Sequence, residues 1–342
     1  MSDKILVTGG AGYVGAHTAL TLFEAGFQPI LLDNFSRSDR RLLYGLEQLM
    51  GTAPVFYEGD CADAEFLKSV IETEWKVRGV IHFAAFKSVG ESVEKPGIYY
   101  ENNIGSLITL LKVCKNFGIS NFIFSSSCTV YGEPDQIPVT EDAPFKRAES
   151  PYGATKQMCE RILEDFSVAD NTLKVISLRY FNPIGAHPSA QIGELPIGTP
   201  NNLVPYITQT AIGRRGKLVI FGGDYDTIDG TCVRDFIDIV DLANGHVAAL
   251  MRMLGSQMRS NFEPFNLGTG VGVSVLKLVN TFVDVTGVDL PFEIGPRRQG
   301  DVGEIYGDTT KAESELGWKA SVPLAITLRN AWNWEKRAQQ IK

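Results

Sequence analysis

Short apolar runs recur through the first half of the chain, separated by longer stretches whose apolar positions fall three or four residues apart. The runs are Ile5-Leu6-Val7, Pro29-Ile30-Leu31-Leu32, Val55-Phe56-Tyr57, Gly79-Val80-Ile81-His82-Phe83 and Asn121-Phe122-Ile123-Phe124. Each is too short for a helix and apolar at consecutive positions, as strands buried on both faces are. Strand and amphipathic helix in alternation give the βαβ rhythm of an α/β fold with a doubly wound parallel sheet. A further strand, Leu173-Lys-Val-Ile-Ser-Leu178, follows a helix that starts at Ser150-Pro151, serine suiting the N-cap and proline the first helical position. Met158, Ile162, Leu163 and Phe166 form the stripe this helix is expected to turn inward.

After Tyr180 the pattern breaks up. Pro183, Pro188, Pro196, Pro200 and Pro205 alternate with Gly185, Gly193 and Gly198, so a loop-rich second lobe begins here. Residues 1–180 form the first lobe, to which the chain returns near 236–253, where Asp-Phe-Ile-Asp-Ile-Val-Asp-Leu-Ala leads into a helical pattern. Residues 181–342 mainly build a smaller mixed α/β lobe. No repeat of solenoid period interrupts this organisation.

Composition narrows the function classes. With 44% hydrophobic and 21% charged residues in 342, the chain is an ordinary globular protein large enough for two lobes. No apolar run reaches membrane-spanning length. The start, Met1-Ser-Asp-Lys followed by only three apolar residues, lacks the pattern of a signal peptide, so cytoplasmic residence is expected. Cys61, Cys114, Cys128, Cys159 and Cys232 are odd in number, with no C-x-x-C pair and no histidine cluster, and read as reduced thiols rather than a disulfide framework or a metal site. A formal charge of −8, from 32 basic against 40 acidic residues, speaks against a nucleic-acid partner. An anionic ligand must then be held by a few placed cations.

Candidate chemistry appears at the first strand end. Thr8-Gly9-Gly10-Ala11-Gly12-Tyr13-Val14-Gly15 follows the strand and opens a helix toward Gly26. Glycines at 9, 12 and 15 let backbone amides and the helix N-terminus approach a pyrophosphate, which marks the first lobe as a Rossmann-type dinucleotide-binding domain. Asp33, closing the second strand, can accept hydrogen bonds from a ribose diol and repel a 2′-phosphate, so NAD is expected over NADP; Arg37 nearby works against that preference. Asp60-Cys61 sits where an adenine-edge contact would fall. Tyr152 and Lys156 are one helical turn apart, an ammonium beside a phenol. That charge, with a nicotinamide ring, would lower the phenol's pKa toward that of a working base. Ser125-Ser126-Ser127 ends the preceding strand, where ligands of such sheets bind, and Ser127 can meet the same substrate oxygen.

Together, Gly9-x-x-Gly12-x-x-Gly15, Asp33-Asn34, His82-Phe-Ala-Ala-Phe-Lys87, Asn102, Ser125-Ser-Ser127 and Tyr152-x-x-x-Lys156 resemble the extended short-chain dehydrogenase/reductase family. The second half is similar to its UDP-glucose (UDP-galactose) 4-epimerase branch in Leu178-Arg-Tyr-Phe-Asn-Pro-Ile-Gly-Ala-His-Pro188, Pro200-Asn-Asn-Leu-Val-Pro-Tyr206, Asp229-Gly-Thr-Cys-Val-Arg-Asp-Phe236 and Pro296-Arg-Arg-Gln-Gly-Asp301. The resemblance implies that NAD meets Gly9, Gly12, Tyr13, Val14, Gly15, Asp33, Asn34, Ser38, Asp60, Cys61, Phe83, Ala84, Ala85, Lys87, Asn102, Ser125, Tyr152, Lys156, Tyr180 and Phe181. It implies that a UDP-sugar meets Lys87, Ser127, Tyr152, Asn182, Asn202, Leu203, Phe221, Arg234, Arg298, Asp301 and Ile305, with Arg234 and Arg298 on the diphosphate. The implied reaction is reversible 4-epimerisation of UDP-glucose and UDP-galactose. Tyr152 would take the 4-hydroxyl proton while bound NAD takes and returns hydride through a transient 4-keto sugar.

Other readings are a 4,6-dehydratase, a decarboxylase or an epimerase acting on UDP-N-acetylglucosamine or a UDP-pentose, a net dehydrogenase, and a non-catalytic NAD-sensing module. Dehydratases of this kind carry Asp-Glu after the strand-end hydroxyl; here Cys128 and Thr129 stand there. Ile305 falls at the family's gatekeeper position, where tyrosine narrows the sugar pocket and a small residue admits N-acetylated sugars. A homodimer through the helical stretches near 104–116 and 152–166 is also implied.

Overall fold

The computed structural model describes residues 2–298 and 300–340; Met1, Ile341, Lys342 and Gln299 of the Pro296–Asp301 motif lie outside the described residues. The strands are β1 (Lys4–Thr8), β2 (Gln28–Asp33), β3 (Val55–Glu58), β4 (Val77–His82), β5 (Asn121–Ser127), β6 (Lys174–Tyr180), β7 (Asn182–Ile184), β8 (Leu218–Phe221), β9 (Val233–Arg234), β10 (Phe236–Asp238), β11 (Phe262–Leu267), β12 (Val273–Ser274), β13 (Phe292–Gly295) and β14 (Glu304–Ile305). The helices are α1 (Tyr13–Glu24), α2 (Arg41–Met50), α3 (Ala64–Glu74), α4 (Val89–Glu94), α5 (Pro96–Asn116), α6 (Pro151–Ala169), α7 (Leu203–Ala211), α8 (Ile239–Leu254), α9 (Val275–Thr286), α10 (Thr310–Leu316) and α11 (Leu324–Ala338).

Seven parallel strands make the main sheet, in the order β11-β6-β5-β4-β1-β2-β3. The order reverses between β1 and β4, which opens a crevice at the carboxyl ends of those strands. Alternation along each strand feeds two cores. Ile5, Val7, Leu31, Ile81, Ile123 and Ile176 face α1, α2 and α8, whereas Leu6, Ile30, Leu32, Val80, Phe122, Phe124 and Val175 face α3, α5 and α6. Both faces are therefore apolar, which explains runs with no polar alternation. The fold is a doubly wound Rossmann-type sheet.

The chain's return to this sheet extends past the expected 236–253. β10 and α8 lie there, and β11 then adds the seventh strand beside β6. A third core, built from Val204, Ile207, Leu218, Ile220, Leu278, Phe282 and Leu328, joins α7, β8, α9 and α11 beyond the carboxyl ends of the sheet. Short pairings complete this lobe: β7 with β10, β8 with β13, and β9 between β12 and β14.

Helix α6 starts as read, with the Ser150 hydroxyl accepting from Gly153 N at 3.2 Å and Pro151 at its first position. Its inward stripe is corrected. Lys156, Cys159, Glu160, Leu163 and Ser167 face in, and Met158 is exposed. Two charged residues take inward positions because each meets a buried partner, and this rotates the apolar stripe away from Met158.

Candidate active site

The glycine turn is shaped by what a side chain would strike. Gly9 has φ +69°, and a Cβ there would lie 2.8 Å from Ala84 N; a Cβ on Gly15 would lie 2.2 Å from Gly9 O. Gly12 caps α1, and its N–H donates to Gly9 O at 3.0 Å. The turn thus seats against the end of β4 and leaves the N-terminus of α1 uncovered, an arrangement suited to an anion. Gly10, which the spacing argument passed over, is bare because Leu31 of β2 comes within 2.9 Å of its missing Cβ. Tyr13 turns its side chain away, the phenol donating to Gly185 O at 2.8 Å, while Val14 packs on the core beneath. Only the backbone of Tyr13 faces the turn's task.

Asp33 is buried and held on both oxygens, Oδ2 accepting from Ala11 N at 3.1 Å and Oδ1 from Phe35 N at 2.9 Å and Ser38 Oγ at 2.6 Å. Arg37 forks onto Glu91 at 2.8 and 2.9 Å and stacks over Phe86, so its charge is directed elsewhere. Asn34 donates to Asp60 at 3.0 Å. Cys61 is buried beside this pair, its thiol pushed up to about 12 by burial. The cap of α3 is Asp63. Phe83 and Tyr180 both lie against the His246 ring, at 4.8 and 5.7 Å, Phe181 fills the space over Gly307, and Ala84 and Ala85 are half-buried. Asn102 donates to Asn103 Oδ1 at 3.0 Å.

At the carboxyl end of β5 the catalytic candidates meet. Lys156 Nζ donates to Ser125 O at 2.6 Å, lies 4.7 Å over the Phe124 ring and 5.9 Å from the Tyr152 ring centre. Ser127 lies close enough to the Tyr152 phenol to favour its ionised form, and its Oγ accepts from Thr129 N at 3.2 Å. Ser125 Oγ bonds the Tyr180 hydroxyl. Burial pushes the Tyr152 phenol above its ordinary 10 and Tyr180 adds to this, while Ser127 opposes it. Burial likewise lowers Lys156 to about 8. Desolvation outweighs the lysine charge because Lys156 is buried, the phenol is half-buried beside it and the ammonium points at a carbonyl rather than the phenol.

Sequence reasoning missed the residues that hold these groups in place. Asn103 bonds Phe86 N and O at 2.8 and 3.0 Å and Thr155 Oγ1 at 3.1 Å, tying the loop after β4 to α6. Thr8 Oγ1 meets His82 Nδ1 at 2.7 Å. Glu194 takes Lys87 at 3.4 Å and Asn202 at 2.5 Å, bridging the two lobes. The one signal for Asn103 was its adjacency to Asn102.

The second-lobe candidates form two groups. Arg298 forks onto Asp301 at 3.1 and 2.7 Å and lies 5.8 Å over the exposed Phe221 ring. Arg234 stands across from Ile305 in the β9–β14 pairing, close enough to lower the Cys128 thiol against burial, which still holds it at about 12. Ile305 is buried with Cys128, Val130, Tyr131, Val139 and Phe181. Asn182 and Leu203 are half-buried at the starts of β7 and α7, where Asn202 is the N-cap. Among the described residues no group of histidine, cysteine and acidic side chains could hold a metal ion.

Residues 6–330 match the family model described as GDP-mannose 4,6 dehydratase. UDP-glucose 4-epimerase of Yersinia enterocolitica is 48% identical over 333 residues, 97% of each chain. The structure of UDP-glucose 4-epimerase from Bifidobacterium longum in complex with NAD+ and UDP superposes with a TM-score of 0.94 at 42% identity, covering 98% of this chain and 99% of the other. That of Stenotrophomonas maltophila, with bound NAD and formylated UDP-arabinopyranose, gives 0.95 at 43% identity over 99% of this chain and 100% of the other. A Rossmann sheet with a glycine turn, a Tyr-Lys pair one helical turn apart at the end of β5 and this similarity along nearly the whole chain lead to one conclusion: the protein belongs to the UDP-glucose 4-epimerase family, within the wider family of the GDP-mannose 4,6 dehydratases.

Proposed function

We propose that the chain is an NAD-dependent epimerase that interconverts UDP-glucose and UDP-galactose by inverting C4. The observation that carries this reading is the meeting of Ser127, Tyr152 and Lys156 at the carboxyl end of β5, beside a turn that a Cβ at Gly9 or Gly15 would fill. The bare turn, Asp33 and Asn34 fit a dinucleotide, and the Arg37–Glu91 pair leaves no free cation from that side chain for a 2′-phosphate, which favours NAD. Bound NAD supplies a hydride acceptor that can return the hydride.

Tyr152 exchanges the proton of the sugar 4-hydroxyl, and Ser127 holds that oxygen in line. Lys156 keeps a cation beneath both. Arg234 and Arg298 take the diphosphate with charge-assisted bonds, Arg298 turning from Asp301 to do so. Asn182, Asn202, Leu203, Phe221 and Asp301 line the nucleotide path, so binding energy resides in the UDP and the hexose is free to present either face. Cys128 retains its proton near neutrality and Thr129 carries no carboxylate, so the acid needed to eliminate water is missing at those positions. This disfavours dehydration.

Two further features belong to the proposal. Ile98 and Met158, exposed on α5 and α6, favour a homodimer through those helices, which a sizing measurement tests. Five buried free thiols suit a reducing, cytoplasmic setting. The deciding experiment is on purified protein without added cofactor. Conversion of UDP-galactose to UDP-glucose, with NAD released on denaturation, supports the reading; a need for exchangeable NAD, or accumulation of a 4-keto-6-deoxy sugar, refutes it.

A further inference from the structure

One turn beyond Lys156 on α6, Glu160 is as buried as the lysine and plays no part in the chemistry above. Its Oε1 accepts from Ser126 Oγ, from Ser177 Oγ at 2.9 Å and from Arg179 Nε at 3.0 Å; its Oε2 accepts from Arg179 Nη2 at 2.7 Å. Ser126 and Arg179 are cross-strand partners of β5 and β6, so the carboxylate grips both strands on their α6 face. Ser126 lies between Ser125, whose carbonyl receives Lys156, and Ser127, which neighbours the Tyr152 phenol. Arg179 is itself fixed: Nη1 donates to the Tyr131 hydroxyl at 3.1 Å and Glu141 O at 2.9 Å, and the guanidinium lies 5.2 and 4.8 Å over Tyr131 and Phe145.

A buried ion pair is expensive to form and gains little over apolar packing unless every proton and lone pair is satisfied. Here a single carboxylate receives five donor contacts. Stability is a weak account of such an arrangement, whereas specification of geometry is a strong one.

We propose that Glu160 and Arg179 are a positioning pair for the reaction, which sets the depth of α6 against the ends of β5 and β6 and supplies the negative charge that keeps the Lys156 ammonium protonated. The inference rests on the reading of Tyr152 and Lys156 as the acid–base pair. The ammonium is faced by Tyr152, Cys159 and Glu160 from its own helix, by His82 from β4 and by Ser125 O from β5, with Cys128, Tyr180 and Tyr99 around the phenol and Arg179 behind Glu160. Among these, Glu160 is the carboxylate. His82 is held neutral by burial, down to about 3, and the Cys159 thiol is raised to about 11.

Two variants separate charge from position. Glu160→Gln keeps the length and removes the charge, so the alkaline limb of the kcat profile should move down by about one pH unit. Glu160→Asp keeps the charge and shortens the reach, so that limb should stay while kcat falls about tenfold or more at constant KM. Equal losses in both variants at every pH, with the limb unmoved, would show a purely structural pair and overturn the proposal, as would wild-type kcat in both. Should Glu160→Gln fail to fold, Arg179→Lys keeps both charges and loses the fork. A fall in kcat at constant KM then supports the positioning role, and an unchanged kcat overturns it. Lys156→Met is the control: activity surviving there sinks the acid–base reading itself rather than this inference alone.

Discussion

At the scale of single residues, Tyr152 shows how far burial governs the site. Its phenol is pushed up by desolvation, so the proton that the proposed reaction has it exchange is held firmly until a positive group approaches. Tyr152→Phe removes that proton but little volume. It should lower kcat by about 10²–10⁴-fold while leaving UDP affinity within about twofold, which steady-state kinetics and calorimetry with UDP can check. Ile305 is the position through which the proposed function predicts specificity. It is buried against Phe181 and Cys128, across the pairing from Arg234, and its bulk bounds the space beside the strand end. Ile305→Ala should raise kcat/KM for UDP-N-acetylglucosamine relative to UDP-galactose by about tenfold, and Ile305→Tyr should lower it by a similar factor. Equal ratios in all three proteins would remove Ile305 from the specificity argument. Tyr152 was legible because a phenol one turn from a lysine carries its own chemistry at a telling spacing, and Ile305 only through the family resemblance. Asn103 and Glu160 were not, since an amide and a carboxylate on a helix read as surface residues until the fold shows what they touch.

At the scale of elements, the strand–turn–helix unit of β1 and α1 depends on backbone approach. Gly15→Ala would place a methyl 2.2 Å from Gly9 O, and the obstacle is backbone that cannot move without unseating the turn from Ala84. The variant should purify with little or no bound NAD and with α/β circular dichroism retained; a normal NAD content would show that the turn tolerates the shift. The same unit was the easiest part of the fold to read, because β1 to β6 are apolar on both faces. Strand β11 was hidden for a physical reason. Its sequence, Phe262-Glu-Pro-Phe-Asn-Leu267, contains a charge and a proline. Pro264 is tolerated because β11 is an edge strand, and Glu263 is buried because Arg252 of α8 meets it at 2.8 Å. Neither compensation is local in sequence. The stripe of α6 was misplaced likewise, since apolarity alone put Met158 inside, and only the distant partners of Lys156 and Glu160 reveal that these two face in.

At the scale of the whole molecule, the buried thiols tie the cysteine content to stability. Cys61, Cys114 and Cys128 are raised from 9.0 to about 12, and Cys159 to about 11, with burial the main cause in each. The folded chain keeps these protons where the unfolded chain releases them, so their contribution is complete below pH 9.0 and is lost as pH rises from there toward 12. Lys156 runs the other way. Its folded pKa is lowered from 10.5 to about 8, so the cost of burying its charge is relieved across that interval. Four protons held by the fold against one released leave a net loss, at ~1.4 kcal/mol per pH unit for each full proton. Urea unfolding under reducing conditions should therefore show stability that falls steadily once the pH passes 9.0. Cys114→Ala removes one such thiol far from the active site, in the core between the sheet and α5. It should lower stability at neutral pH by leaving a small cavity, yet flatten the alkaline slope by about one proton. A parallel decline in both proteins would mean that burial of this thiol does not govern the alkaline limb, and that the tyrosines raised by burial, Tyr99 and Tyr180 among them, carry it instead.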